Sequence, residues 1–128
     1  MLLELRIYTA KPGRRDDFVR WFHRRSIPAM EAAGMRVLAE RAEPGTDRFV
    51  WLRSFAGDEQ RRRQYDAFFL GPAWLEGLRE EAYDMLDHVD VHTMRIEGHA
   101  TSEGWSDLAC ELVAELVPPG RAADSGAR

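Results

Sequence analysis

His88, Asp90 and His92 stand two residues apart in a stretch of alternating character, so on a strand all three share one face. A histidine beside a carboxylate makes a general base, because the carboxylate orients the ring and favours its protonated form. Asp90 and His92 are therefore the candidate catalytic pair, although the same two residues would serve equally as a hydrogen-bonded pair at an interface. A metal site is not expected here. Side chains at i and i+4 on a strand lie about 13 Å apart, at a rise of ~3.3 Å per residue, too far to share one ion without a bulge.

Arg6 and Arg53 are the candidate anion-holding groups, since guanidiniums bind a carboxylate or enolate oxygen by charge-assisted hydrogen bonds. Glu4 and Asp90 are the acids they would otherwise neutralise. His23 follows Trp21-Phe22 and either reaches the edge of a pocket or stands half-exposed. Arg61-Arg62-Arg63 reads as a solvated helix face. Cys110, the one cysteine, lies among Leu108, Leu112 and Val113 and reads as a small core residue. A single cysteine excludes an internal disulfide. Glycine-rich phosphate loops, a G-x-S-x-G elbow and C-x-x-C pairs are absent from the sequence.

These residues must be positioned by a short series of elements. Residues 2–9 alternate, with Leu3, Leu5 and Ile7 on one side and Glu4, Arg6 and Tyr8 on the other. Pro12-Gly13 ends that strand. A helix is expected from Arg14, with Asp16 and Asp17 in its first turn, a break near Ser26 imposed by Pro28, and a second piece to Ala33. Met35–Arg41 and Arg48–Phe55 read as strands joined through Pro44-Gly45. Helices follow from Asp58 to Leu70 and from Ala73 to Leu86, then a strand from His88 to Ile96. The order βαββαβ is the ferredoxin-like plan, an α+β fold with an antiparallel sheet and its helices on one face. Residues 98–128 form an extension, with an amphipathic helix expected over 106–117 and a disordered tail from Gly120.

By parity, the face away from the helices is expected to carry Tyr8, Trp51 and Met94, together with Glu4, Arg6, Arg53, Asp90 and His92. So much apolar surface predicts a second sheet packed against it, hence a homodimer. The ionisable groups would then line a hydrated cavity or pair across the interface. The 128 residues hold 18 basic and 22 acidic side chains, a net charge of −4 that argues against a nucleic-acid footprint. Seventeen of the basic residues are arginine, which reflects genome composition more readily than phosphate binding. No run approaches the roughly 18 apolar residues of a membrane span, and no secretory signal opens the chain, so a cytoplasmic location is expected.

Glu4-Leu5-Arg6-Ile7-Tyr8-Thr9-Ala10-Lys11-Pro12-Gly13 resembles the opening signature of the NIPSNAP domain, E-L-R-x-Y-x-x-x-P-G. Ser54, the run Arg61–Phe69 and Pro72-Ala73-Trp74 are similar to the later segment of that family. The resemblance spans residues 2–96, and the domain is placed at 1–97. It implies a dimeric α+β barrel, the fold of small antibiotic-biosynthesis monooxygenases and related cofactor-less enzymes, and it implies no particular reaction. The functional expectation is a cofactor-independent monooxygenase, isomerase or cyclase acting on a hydrophobic or aromatic small molecule. His92 and Asp90 would move the proton, and Arg6, Tyr8, Trp51, Arg53 and Met94 would hold the substrate. The alternative is a non-catalytic module that binds a small molecule or another protein. A hydrated interior of roughly 300 Å³ or more would favour an enzyme or binder.

Overall fold

The computed structural model describes residues 1–96; the expected helix over 106–117, the tail from Gly120 and Cys110 lie outside them. The chain runs β1 (Leu2–Ala10), α1 (Arg15–Trp21), a π-helical turn (Phe22–Ser26), α2 (Ile27–Ala32), β2 (Val37–Ala42), β3 (Arg48–Phe55), α3 (Asp58–Phe69), a second π-helical turn (Trp74–Leu78), α4 (Arg79–Met85) and β4 (Leu86–Arg95). The four strands form one antiparallel sheet in the order β2-β3-β1-β4, so the ferredoxin-like plan holds. No helix among the described residues is long and apolar enough to cross a membrane.

Local chemistry explains the elements. Asp16 and Asp17 in the first turn of α1, and Asp58 and Glu59 in that of α3, complement the positive ends of those helices. The break expected at Ser26 takes the form of a π-helical turn, and Pro28 falls in the first turn of α2, where a missing N–H costs little. The β2–β3 turn is closed by Gly45 at φ 75°. It is anchored from below by buried Arg15, whose Nη1 donates to the carbonyls of Glu43 and Thr46 at 2.5 and 3.0 Å.

Register fixes what each face of the sheet carries. Glu4 stands opposite Arg53, Arg6 opposite Trp51, and Tyr8 opposite Phe49. These residues face the helices: Tyr8, Phe49 and Trp51 share one core cluster with Phe18, Phe22, Met30, Phe68, Leu78 and Met85. The other face carries Leu3, Leu5, Val50 and Leu52, with Ile7, Leu38, Ala39 and Ile96 packed against them.

This assignment corrects the expected one. Alternation separates two sets of residues but does not say which set lies beneath the helices. The helices project large aromatic rings, and the matching floor is the ring- and arginine-bearing set rather than the aliphatic one. Tyr8 and Trp51, which motivated a dimer through the open face, are thus covered within one chain. The register of β4 also differs from the parity assumed for it. Val91 stands opposite Arg6, whereas His92 stands opposite Leu5, Asp90 opposite Ile7 and Met94 opposite Leu3. Asp90, His92 and Met94 therefore share the aliphatic face and do not meet Arg6 or Arg53.

Candidate functional site

Glu4 is the centre of a buried ion cluster and is itself fully buried. Its Oε1 accepts from Arg6 Nε at 2.7 Å and from Arg53 Nε at 2.8 Å, and its Oε2 accepts from Arg61 Nε at 3.1 Å. The Tyr65 hydroxyl also donates to Oε2. That hydroxyl accepts from Arg6 Nη2 at 2.9 Å and from Arg61 Nη2 at 3.3 Å. Burial alone would raise the pKa of Glu4. The charges of Arg53 and Arg6, with hydrogen bonds from Tyr65 and Arg6, outweigh it and bring the group down to about 2. Burial likewise works against the charge of Arg6, yet Tyr8 and Glu4 overcome it and push the guanidinium above its ordinary value. Both partners stay ionised.

The β-strand period places the arginines. Arg6 lies two residues from Glu4 on β1, and Arg53 faces Glu4 from β3, so three side chains meet without any loop contribution. The Arg53 guanidinium is held on every side. Its Nη1 donates to Met35 Sδ at 3.1 Å, and its Cζ lies 5.0 Å from the Trp51 ring and 4.9 Å from the Tyr65 ring. Its Nη2 lies 2.8 Å from Glu4 Oε1 but out of line for a hydrogen bond.

Next to this cluster, between the sheet and the helices, lies a cavity of about 200 Å³. Arg6, Tyr8, Trp51 and Arg53 form its floor, with Val89 at the edge. Phe18, Phe22 and Met30 close one side, and Phe68, Phe69 and Trp74 close the other. The lining is aromatic and holds two guanidiniums and no carboxylate. Arg6 Nη1 donates to the Tyr8 hydroxyl at 2.9 Å, which fixes that oxygen in the floor. The indole Nε1 of Trp51 is buried and has no hydrogen-bond partner. An orphaned buried donor costs roughly 1–3 kcal/mol unless an acceptor arrives.

Of the expected site residues, Arg6, Tyr8, Trp51 and Arg53 are brought together around this cavity, and Asp90, His92 and Met94 are not. His92 and Asp90 are exposed, and Asp90 accepts from His88 at 3.0 Å rather than pairing with His92. Neither residue lines the cavity between the sheet and the helices. His23 is half-exposed and pairs with Glu40 of β2. Two cluster members escaped the sequence reading, Tyr65 and Arg61. Their spacing of four on α3 puts them on one helix face, a signal that could have lifted Arg61 out of its solvated run. Arg62 and Arg63 are exposed as expected.

No family model matches the chain, and no curated protein matches it. Among solved structures, an uncharacterised NIPSNAP domain protein from Burkholderia xenovorans aligns with a TM-score of 0.69 at 14% identity, covering 80% of this chain and 100% of that one. A NIPSNAP family protein of unknown function from Agrobacterium tumefaciens aligns with a TM-score of 0.69 at 18% identity, covering 78% and 91%. A candidate antibiotic biosynthesis monooxygenase from Bacteroides thetaiotaomicron aligns with a TM-score of 0.60 at 17% identity, covering 79% and 95%. The chain has the fold of NIPSNAP domain proteins, as its opening motif implies, and that fold extends to the monooxygenase-like neighbour.

Proposed function

We propose that the protein binds a small, single-ring aromatic molecule bearing a carboxylate, phenolate or enolate oxygen, inside each chain between the sheet and the helices. The observation that carries this reading is the combination of an aromatic cavity, two guanidiniums in its floor and the unpartnered indole N–H of Trp51. The size sets the ligand class. Benzene occupies an engineered cavity of about 150 Å³, so the 200 Å³ here suits one substituted ring rather than a fused system. The charge sets the substituent. Arg6 and Arg53 are both buried and share one buried carboxylate, Glu4, which leaves an excess positive charge facing apolar space.

A second reading keeps turnover. The Tyr8 hydroxyl lies in the same floor, held by Arg6, where it could pass a proton to or from a bound ring while the guanidiniums stabilise an enolate oxygen. The likeness to a candidate monooxygenase fits cofactor-independent chemistry of that kind, without His92 or Asp90.

The test is a titration of the full chain with benzoate, 4-hydroxybenzoate and phenylacetate, followed by tryptophan fluorescence and by calorimetry, with benzamide and toluene as neutral controls. Carboxylates should bind at least tenfold more tightly than the neutral rings, and Trp51→Phe should weaken them. Absence of any response to all five compounds at millimolar concentration would sink the proposal. Turnover of an enolisable ring that survives in Tyr8→Phe would dispose of the second reading alone.

A further inference from the structure

The cavity is closed at its charged end and open at the other. Arg53 is 1% exposed and Arg6 9%, whereas two further lining residues, Val89 of β4 and Tyr83 of α4, are 39% and 62% exposed. An anionic group held by the guanidiniums therefore sits deep, and the far side of the ring looks out between Tyr83 and Val89. That mouth is apolar on both sides. On the helix side, Tyr83 meets the Trp74 ring edge-on at 6.3 Å and Trp74 meets Phe69 at 5.1 Å, a continuous aromatic wall. On the other side, β4 is an edge strand of the sheet. Its Val89 and Val91 stand opposite Tyr8 and Arg6, so both project on the cavity's side. Val91 is 42% exposed. Single exposed valines are ordinary, but this pair prolongs the lining of a cavity along about 6.6 Å of strand.

We infer that the bound ring carries an unbranched alkyl chain on the side away from its anionic oxygen, and that the chain leaves through this mouth to lie along Val89 and Val91. The inference rests on the binding reading above and narrows its ligand to an amphiphilic aromatic acid. Volume forces the exit. The space of about 200 Å³ is filled by one substituted ring, so a chain attached to that ring has no room to fold up inside. The chemistry of the mouth selects the chain. Its walls offer rings and methyl groups, with the Tyr83 hydroxyl and the Trp74 indole N–H as the only polar side-chain atoms of Phe69, Trp74, Tyr83, Val89 and Val91. A charged or heavily hydroxylated substituent would lose water there without compensation. Full burial of a methylene is worth about fourfold in affinity, and a trough open on one side gives about half that free energy, or roughly twofold.

Calorimetric titration of the full chain with benzoate, 4-ethylbenzoate, 4-butylbenzoate and 2-butylbenzoate tests it. Affinity should rise about twofold per carbon along the para series, or roughly sixteenfold from benzoate to 4-butylbenzoate. The ortho isomer directs its chain at the closed walls and should bind more weakly than benzoate, which separates exit at the mouth from general greasiness. Val91→Ser should cut the gain of 4-butylbenzoate over benzoate at least threefold and leave benzoate itself within a factor of two, a retention that also reports an intact fold. Equal affinity for benzoate and 4-butylbenzoate, an equal gain in the ortho isomer, or a gain untouched by Val91→Ser would each overturn the inference and leave the binding reading standing. Binding of none of these acids would overturn that reading and the inference with it.

Discussion

The two faces of this sheet bury large amounts of surface by different means. Toward the helices lie aromatic rings, two buried arginines and one buried glutamate, and the packing leaves a cavity. On the other side lie Leu3, Leu5, Val50 and Leu52, a cluster with no charge. An aliphatic layer can be filled to high density because leucine and valine interdigitate in low-energy rotamers. A floor of tryptophan, tyrosine and arginine obeys ring and hydrogen-bond geometry first, and space remains where those demands conflict. The face that holds the cavity is thus the one whose groups are costly to bury, and the plain face serves stability.

Glu4 is the sharpest place to break that contrast. Removing it leaves Arg6 and Arg53 buried without a carboxylate, and Glu4→Ala should cost about 3–5 kcal/mol in urea denaturation. The pH dependence follows with a definite sign. The folded carboxyl sits at about 2 against an ordinary 4.5. Its contribution is present in full above the unfolded value and is lost as pH falls from 4.5 through about 2. A gap of that size corresponds to about 3 kcal/mol. Stability of the wild type should rise across that window, and Glu4→Gln should flatten much of the rise. An equally steep profile in the variant would show that the surface carboxylates, not the buried one, govern acid unfolding.

The aliphatic face should respond to volume alone. Leu52→Ala, at a fully covered position, should cost about 2–4 kcal/mol with no dependence on pH between 3 and 8. A cost below 1 kcal/mol would mean that the layer is loose enough to collapse around the deletion. Trp51→Phe on the helix side should cost less than Leu52→Ala, about 1–2 kcal/mol, because the lost packing borders existing space and an unpartnered donor disappears with it. The two measurements together test whether the aromatic face gives up stability to keep its cavity.

The sequence shows the element order clearly, because Pro12-Gly13, Pro44-Gly45 and Gly71-Pro72 punctuate alternating or helical runs. It also shows that Arg6, Tyr8, Trp51 and Arg53 belong together, since their parity on two strands needs no tertiary information. Two things it could not show. Which face the helices cover depends on matching ring-sized projections from α1 and α3, a property of packing rather than of period. The register of β4 is the other: Leu2–Thr9 pair with Arg95–His88 so that Val91 stands opposite Arg6, and a pairing one residue different would move every side chain on the strand to the other face. Alternation along β4 groups His92 with Asp90 but does not say which set of β1 side chains they stand beside.

The smallest expected effect is therefore the most telling about the site. His92 and Asp90 are exposed on an outer strand, on the face opposite the cavity. An exposed ion pair such as Asp90 with His88 contributes little, because water screens it and two side chains lose freedom to form it. His92→Ala and Asp90→Ala should each change stability by no more than about 0.5 kcal/mol. Neither should alter carboxylate binding, since no atom of either residue lines the cavity and the sheet backbone separates them from Arg6 and Arg53. The measurement is the benzoate titration repeated on both variants beside Trp51→Phe. Loss of binding in His92→Ala with retention in Trp51→Phe would invert the comparison between the faces and move the site to the outer strand. The opposite pattern would fix it in the floor of rings and guanidiniums, where the cost of burying polar groups is answered by an incoming anion.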